Sequence, residues 1–258
     1  MNSTARTLIA PMLLCAPVLL TSLTGCQSLP AQDQDLIDPN AAAQSPADLY
    51  VDLAAAYLQR NQLDAALARA ERAVREDRRS ARARNILAII YQRLGEQERA
   101  EEQFRRAVEL DSRNPEFRNA WGTALCNRGD YAKADEQFNL AIDNPLYQSP
   151  ETALFNASNC ARLAGDAAQA DIYLRQALVT NPQFAPALLA MATHSLNQDD
   201  AKTARQYMQR YSRVGAATPQ ALLLALRIER RLGNQAEARM LESSLRQHYP
   251  DAPEILQL

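Results

Sequence analysis

The sequence predicts an all-α protein, a right-handed superhelix of six helix–turn–helix repeats, and three observations carry the prediction. Ala66, Ala100, Ala134, Ala170, Ala204 and Ala238 are spaced 34, 34, 36, 34 and 34 residues apart. Five residues before each stands a turn residue: Asn61, Gly95, Gly129, Gly165, Asp199 and Gly233. Seven residues after each comes Ala73, Ala107, Ala141, Ala177, Tyr211 and Leu245. One alanine column means little in an Ala-rich chain, but three columns in one frame mean a repeat. Composition agrees. Of 258 residues only 13 are Pro and 7 are Gly, while Ala, Leu, Gln, Arg and Glu dominate, a mix that favours helix.

In this frame the units run 47–80, 81–114, 115–148, 151–184, 185–218 and 219–252, with 253–258 left as a C-terminal tail. Their columns fit the tetratricopeptide pattern. The first unit supplies Tyr50, Leu53, Ala54 and Tyr57 on its first helix (helix A), then Ala66 and Ala73 on its second (helix B). The second supplies Leu87, Ala88, Tyr91, Gly95, Ala100, Phe104 and Ala107; the third Trp121, Gly122, Leu125, Gly129, Ala134, Phe138 and Ala141. Small residues at the eighth, twentieth and twenty-seventh columns let helices A and B approach closely. The Gly or Asn between them suits a left-handed helix cap. Two residues are inserted after the third unit, around Asn144 to Pro150, and the fifth and sixth units are degenerate, as expected near a capping end.

Ahead of the repeats, residues 1–25 read as an export signal. Arg6 is a short positive region, and Leu8 to Leu20 is an apolar stretch interrupted by Pro11 and Pro17, too short to span a bilayer. Leu23-Thr24-Gly25-Cys26 then resembles the lipobox of bacterial lipoproteins, which makes Cys26 the expected acyl acceptor. By the same resemblance, Gln27 rather than Asp after the cysteine implies sorting to the outer membrane, on its periplasmic face. Residues 26–46 form the lipidated tether: Pro, Gln, Asp and Ala without apolar periodicity or a basic residue.

The 28 basic and 30 acidic residues are spread along the chain, which argues against a nucleic-acid partner. No nucleophile elbow, phosphate loop, zinc-protease motif or CxxC appears, so no enzyme activity, cofactor, metal or small-molecule substrate is expected. Cys160 and His194 share the tenth column of adjacent units; with no orienting acid evident, a packed Cys and a packed His are favoured over a catalytic dyad. Cys126 and Cys160 lie on helix A of the third and fourth units, on faces that look toward one another. A disulfide stapling the array is favoured over two buried thiols.

Several stretches go beyond the generic repeat: Asn119 to Cys126 (NAWGTALC), the Asn144–Pro150 insertion, Phe155 to Gly165 (FNASNCARLAG), Leu222 to Arg230 (LLLALRIER) and the ending His248-Tyr249-Pro250. Together with the lipobox and the unit count, they make the chain resemble the PilW (PilF) family of type IV pilus biogenesis and stability proteins. The resemblance implies a pilotin, an outer-membrane lipoprotein that binds the pilus secretin and promotes its localisation and multimerisation. The alternative is a periplasmic tetratricopeptide scaffold for peptidoglycan hydrolases or outer-membrane protein assembly.

In such superhelices the second, fifth, ninth, twelfth and thirteenth columns of helix A line the concave face. Here the middle units place Asn119, Thr123, Asn127, Phe155, Asn159 and Arg162 there, amides beside an aromatic, which suits an extended peptide. The sixth unit places Arg227, Arg230 and Arg231 in the same columns, with Glu229 turned elsewhere, a set that suits an acidic docking point.

Overall fold

The computed structural model describes residues 45–258, and the export signal, Cys26 and the tether up to residue 44 lie outside the described residues. Among the described residues there are α-helices, turns and one 3-10 turn, and no strand. The helices form six consecutive A/B pairs: α1 (Pro46–Gln59) with α2 (Leu63–Glu76), α3 (Ala81–Arg93) with α4 (Gln97–Leu110), and α5 (Pro115–Asn127) with α6 (Tyr131–Ile142). Then come α7 (Pro150–Leu163) with α8 (Ala167–Thr180), α9 (Ala185–Asn197) with α10 (Ala201–Tyr211), and α11 (Pro219–Arg231) with α12 (Gln235–His248). The protein is an all-α superhelix of tetratricopeptide units. No helix among the described residues is long and apolar enough to cross a membrane.

Each pair begins and turns for local reasons. Ser45, Ser80, Asn114 and Thr218 cap α1, α3, α5 and α11, each side chain accepting a hydrogen bond from a first-turn backbone N–H. Proline occupies the first turn of α1, α5, α7 and α11, where its missing N–H costs nothing. At every A/B turn one residue takes positive φ: Asn61 (56°), Gly95 (79°), Gly129 (89°), Gly165 (85°), Asp199 (65°) and Gly233 (79°). The following N–H then reaches back to the helix, as from Gln62 to the Tyr57 carbonyl, Glu96 to Tyr91 and Asp130 to Leu125, at 2.9, 2.9 and 3.0 Å. The same bond recurs from Asp166, Asp200 and Asn234. This closes the helix C-terminus that would otherwise leave bare carbonyls.

Close approach follows. Ala54, Ala66, Ala73, Ala88, Ala107, Ala134, Ala141, Ala177, Ala192 and Ala204 are all fully buried. Gly122 shows the tolerance: a Cβ placed there would stand 2.8 Å from Cε1 of the fully buried Phe138.

Polar ties repeat with the units. Arg84 Nη1 donates to Gln103 Oε1 at 2.8 Å, and one unit later Arg118 Nη1 donates to Gln137 Oε1 at 2.9 Å. Across units, Arg82 bridges Asp48 and Asp52, at 2.6 and 3.0 Å. Tyr173 Oη donates to Asp135 at 2.6 Å, tying α8 to α6.

Departures from the repeat have visible consequences. In the insertion Tyr147 is buried, and Asn144 Nδ2 donates to the Arg113 carbonyl at 2.5 Å, so the extra residues are folded onto the preceding turn. Tyr211 stands in the column that is alanine in the first four units. Its ring covers Gly215, where a Cβ would come within 2.4 Å, and its Oη donates to the Ala216 carbonyl at 2.7 Å; α10 ends after 11 residues. Past α12 the chain forms a 3-10 turn, Pro253–Gln257, whose Ile255, with Leu258, packs on Leu223, Leu226, Ala238 and Leu245.

Gly122→Ala is expected to destabilise by about 1–3 kcal/mol, the usual cost of overpacking a filled core. Urea unfolding of the two proteins checks this; an unchanged midpoint would show that Phe138 can yield.

Candidate partner-binding surface

The middle units bring α5 and α7 side by side. Asn119, read above as an open amide, is instead only 8% exposed. Its Oδ1 accepts from Asn156 Nδ2 at 3.0 Å, and its backbone carbonyl accepts from Thr123 Oγ1 at 3.0 Å. A buried amide must find partners, and Asn119 finds them between α5 and α7, so it joins helices rather than offering itself to a ligand. Phe155 is half-buried and stands edge-on to Phe184, with ring centres 5.9 Å apart at 80°. Part of its surface is thus spent on packing α7 against the turn before α9. Asn127 and Arg162 are exposed and Asn159 half-exposed, and the side chain of none of the three hydrogen-bonds or ion-pairs among the described residues. The surface available to a peptide is therefore Asn127, Asn159, Arg162 and one side of Phe155.

Behind this face Cys126 and Cys160 are joined by a disulfide, with Cα atoms 5.6 Å apart. The bridge sits in a core cluster with Leu125, Phe138, Leu154, Ala157, Leu174 and Met191, and it fixes α5 against α7. It also removes Cys160 from any dyad with His194, whose Nε2 lies 3.6 Å from Asp171 Oδ1. Among the described residues no group of three or more His, Cys, Asp or Glu side chains could hold a metal ion.

The sixth unit carries the charged end. Arg227, Arg230 and Arg231 on α11, with Leu196 and Asn197 at the end of α9, line a cleft of about 630 Å³. Arg231 pairs with Asp199, and Arg230 Nη2 with Glu242 Oε2 at 2.8 Å. A hydrogen bond from Arg246, reinforced by Arg230, holds the Glu242 carboxyl below its usual range, so Glu242 stays anionic. Arg227 has no carboxylate partner among the described residues; its Nη2 donates to the Gln257 amide oxygen at 2.6 Å. Glu229 is turned away and buried, paired with Arg205 Nε at 3.1 Å. The contact of the tail with the arginines was not readable from the sequence, because nothing local to 253–258 marks where it folds back. A second cavity of about 290 Å³ opens between α10, α11 and α12, lined by Met208, Tyr211, Ala221, Leu222 and Leu241 together with polar residues such as Arg205 and Glu237. Its one sequence signal was tyrosine in an alanine column.

Comparison with known proteins agrees with this architecture. Residues 51–115 match the tetratricopeptide repeat family. The type IV pilus assembly protein PilF of Pseudomonas aeruginosa is 27% identical over 237 residues, which cover 92% of this chain and 93% of that protein. The crystal structure of PilW, a widely conserved type IV pilus biogenesis factor, aligns with a TM-score of 0.73 and 29% identity, over 83% of this chain and 99% of that one. The structure of Pseudomonas aeruginosa PilF aligns with a TM-score of 0.72 and 27% identity, over 82% and 96%.

Because the bridged cysteines are 34 residues apart, the loop-entropy relation assigns the bridge about 3–4 kcal/mol, less any strain. Cys126→Ser with Cys160→Ser should lose stability of that order in denaturant unfolding. Quantitative thiol labelling of both residues in protein purified without reductant would rule the bridge out.

Proposed function

We propose that this chain, a homologue of the type IV pilus tetratricopeptide proteins PilF and PilW, acts as a pilotin: a lipid-anchored, non-catalytic adaptor that binds the pilus secretin and promotes its assembly in the outer membrane. The observation that carries the reading is the end-to-end match to PilF, which covers 92% of this chain and 93% of that protein. Tetratricopeptide repeats alone occur on many scaffolds and specify no partner. Retaining the whole array, tether side to last unit, points to a shared partner surface.

The physical logic joins the two halves of the sequence. Acylated at Cys26, the protein is confined to the periplasmic face of the outer membrane; one acyl chain holds weakly, and stable anchoring takes more than one. A secretin subunit bound to the repeats is then held near the bilayer it must enter, and its local concentration rises without any new contact. Asn127, Asn159, Arg162 and Phe155 suit an extended segment of the secretin, and Arg227, Arg230 and Arg231 suit carboxylates on it. Such binding weakens with added salt, because the arginines are charged and exposed.

A deletion strain is expected to lose both secretin multimers and surface pili, and Cys26→Ser is expected to leave the outer-membrane fraction. Normal secretin multimers in the deletion strain would overturn the pilotin reading in favour of another periplasmic scaffold. Cys26→Ser protein still in the outer membrane would overturn the anchor.

A further inference from the structure

The cationic end of the array is already occupied, by the chain itself. Ile255 and Leu258 of the tail pack on the apolar cluster of Leu223, Leu226, Ala238 and Leu245. Beside them the tail offers oxygen acceptors to α11: Gln257 Oε1 to Arg227 at 2.6 Å, and a backbone oxygen of Leu258 to Arg230 at 3.4 Å. Apolar anchors with acceptors alongside is the form of a bound peptide.

The fit is second-rate in two respects. Arg227, always charged, meets only a neutral amide, although charge-assisted bonds to carboxylates are roughly twice as strong. Glu254 is only 8% exposed, and its Oε2 is buried with no partner, which penalises the docked tail. Leu256, between the anchors, is 90% exposed and adds nothing to the seat. A segment with the same apolar spacing and a carboxylate opposite Arg227 would bind the seat better than the tail does.

We infer that residues 253–258 are an internal placeholder, and that the Arg227–Arg230–Arg231 face of α11 with its apolar floor is a docking site for a protein segment carrying two apolar anchors and an acidic residue beside them. That the segment belongs to the secretin rests on the pilotin reading; the seat and its placeholder do not. Displacement of the tail would couple partner binding to exposure of Ile255 and Leu258, and the tail would set a threshold that neutral or weakly acidic segments fail to pass.

The test uses the full chain carrying Ile255→Asp, which puts a charge on the apolar floor and releases the tail from its seat. The probes are labelled peptides of residues 249–258, with the natural sequence and with Gln257→Glu. The Gln257→Glu peptide is expected to bind about 5- to 10-fold tighter, with the difference shrinking in high salt and lost when Arg227→Gln is added. Equal binding of the two peptides, or a difference that survives Arg227→Gln, overturns the inference. So does Arg227-dependent binding to phosphatidylglycerol vesicles with none to either peptide, which would make the patch a membrane contact. Should Ile255→Asp fail to fold, Gln257→Glu in the otherwise natural chain gives the same answer: hydrogen exchange at the Ile255 amide should slow several-fold, in a salt-sensitive manner. Unchanged exchange there overturns the inference. In secretin capture, Gln257→Glu in the chain should weaken binding several-fold and Ile255→Asp should strengthen it; capture indifferent to both overturns the secretin as the occupant of this seat. A natural chain that captures no secretin, while the peptides behave as expected, overturns the pilotin reading and leaves the seat standing.

Discussion

Everything in this molecule depends on helices A and B of each unit lying close enough for their backbones to share alanine-sized contacts. Two local devices create that approach. The left-handed residue at each A/B turn closes helix A with a backbone bond and reverses the chain in a few residues. Fully buried alanines on both helices then allow contact that a larger side chain would forbid. Gly122 marks the limit, since there even a methyl group would meet the Phe138 ring. Such packing leaves little room for a pair to slip, so register set at the turn carries along both helices.

A repeat array has only neighbour-to-neighbour contacts, so its stability is roughly a sum of units and junctions. A weak junction therefore has to be repaired where it lies. The insertion interrupts the repeat between the third and fourth units, and there the disulfide, the Tyr173–Asp135 bond and the Asn119–Asn156 pair all cross between units. The fifth and sixth units are treated differently. Tyr211 shortens α10 and a cavity opens behind it, while the tail covers the last apolar floor in place of a further helix. The array thus has a braced middle and a looser end. The candidate binding residues follow the same division, with amides and Phe155 on the braced part and arginines on the loose one.

That division has a functional reading. A braced surface binds with little ordering cost, because its side chains are already held. An end covered by a replaceable segment discriminates among partners by what they offer beyond the segment they displace. Under the proposed function, with the array tethered at a membrane and effective concentration high, discrimination matters more than raw affinity.

Residue spacing alone determined the six helix pairs, their turn residues and the alanine columns, because these depend on backbone preferences and on offsets within one unit. It also placed Cys126 and Cys160 one repeat apart on facing helices, while leaving open whether they bond. The tertiary structure decided that they do, that Asn119 turns inward to Asn156, that Tyr147 enters the core, and that the tail folds onto Arg227 and Arg230. These partnerships join residues about 30 or more positions apart, or lie where the repeat is broken, and each is a competition among several neighbours for one polar or apolar site. A periodic pattern says which face of a helix is buried. Which side chain on the next helix takes the one available partner depends on distances that exist only once the helices have packed.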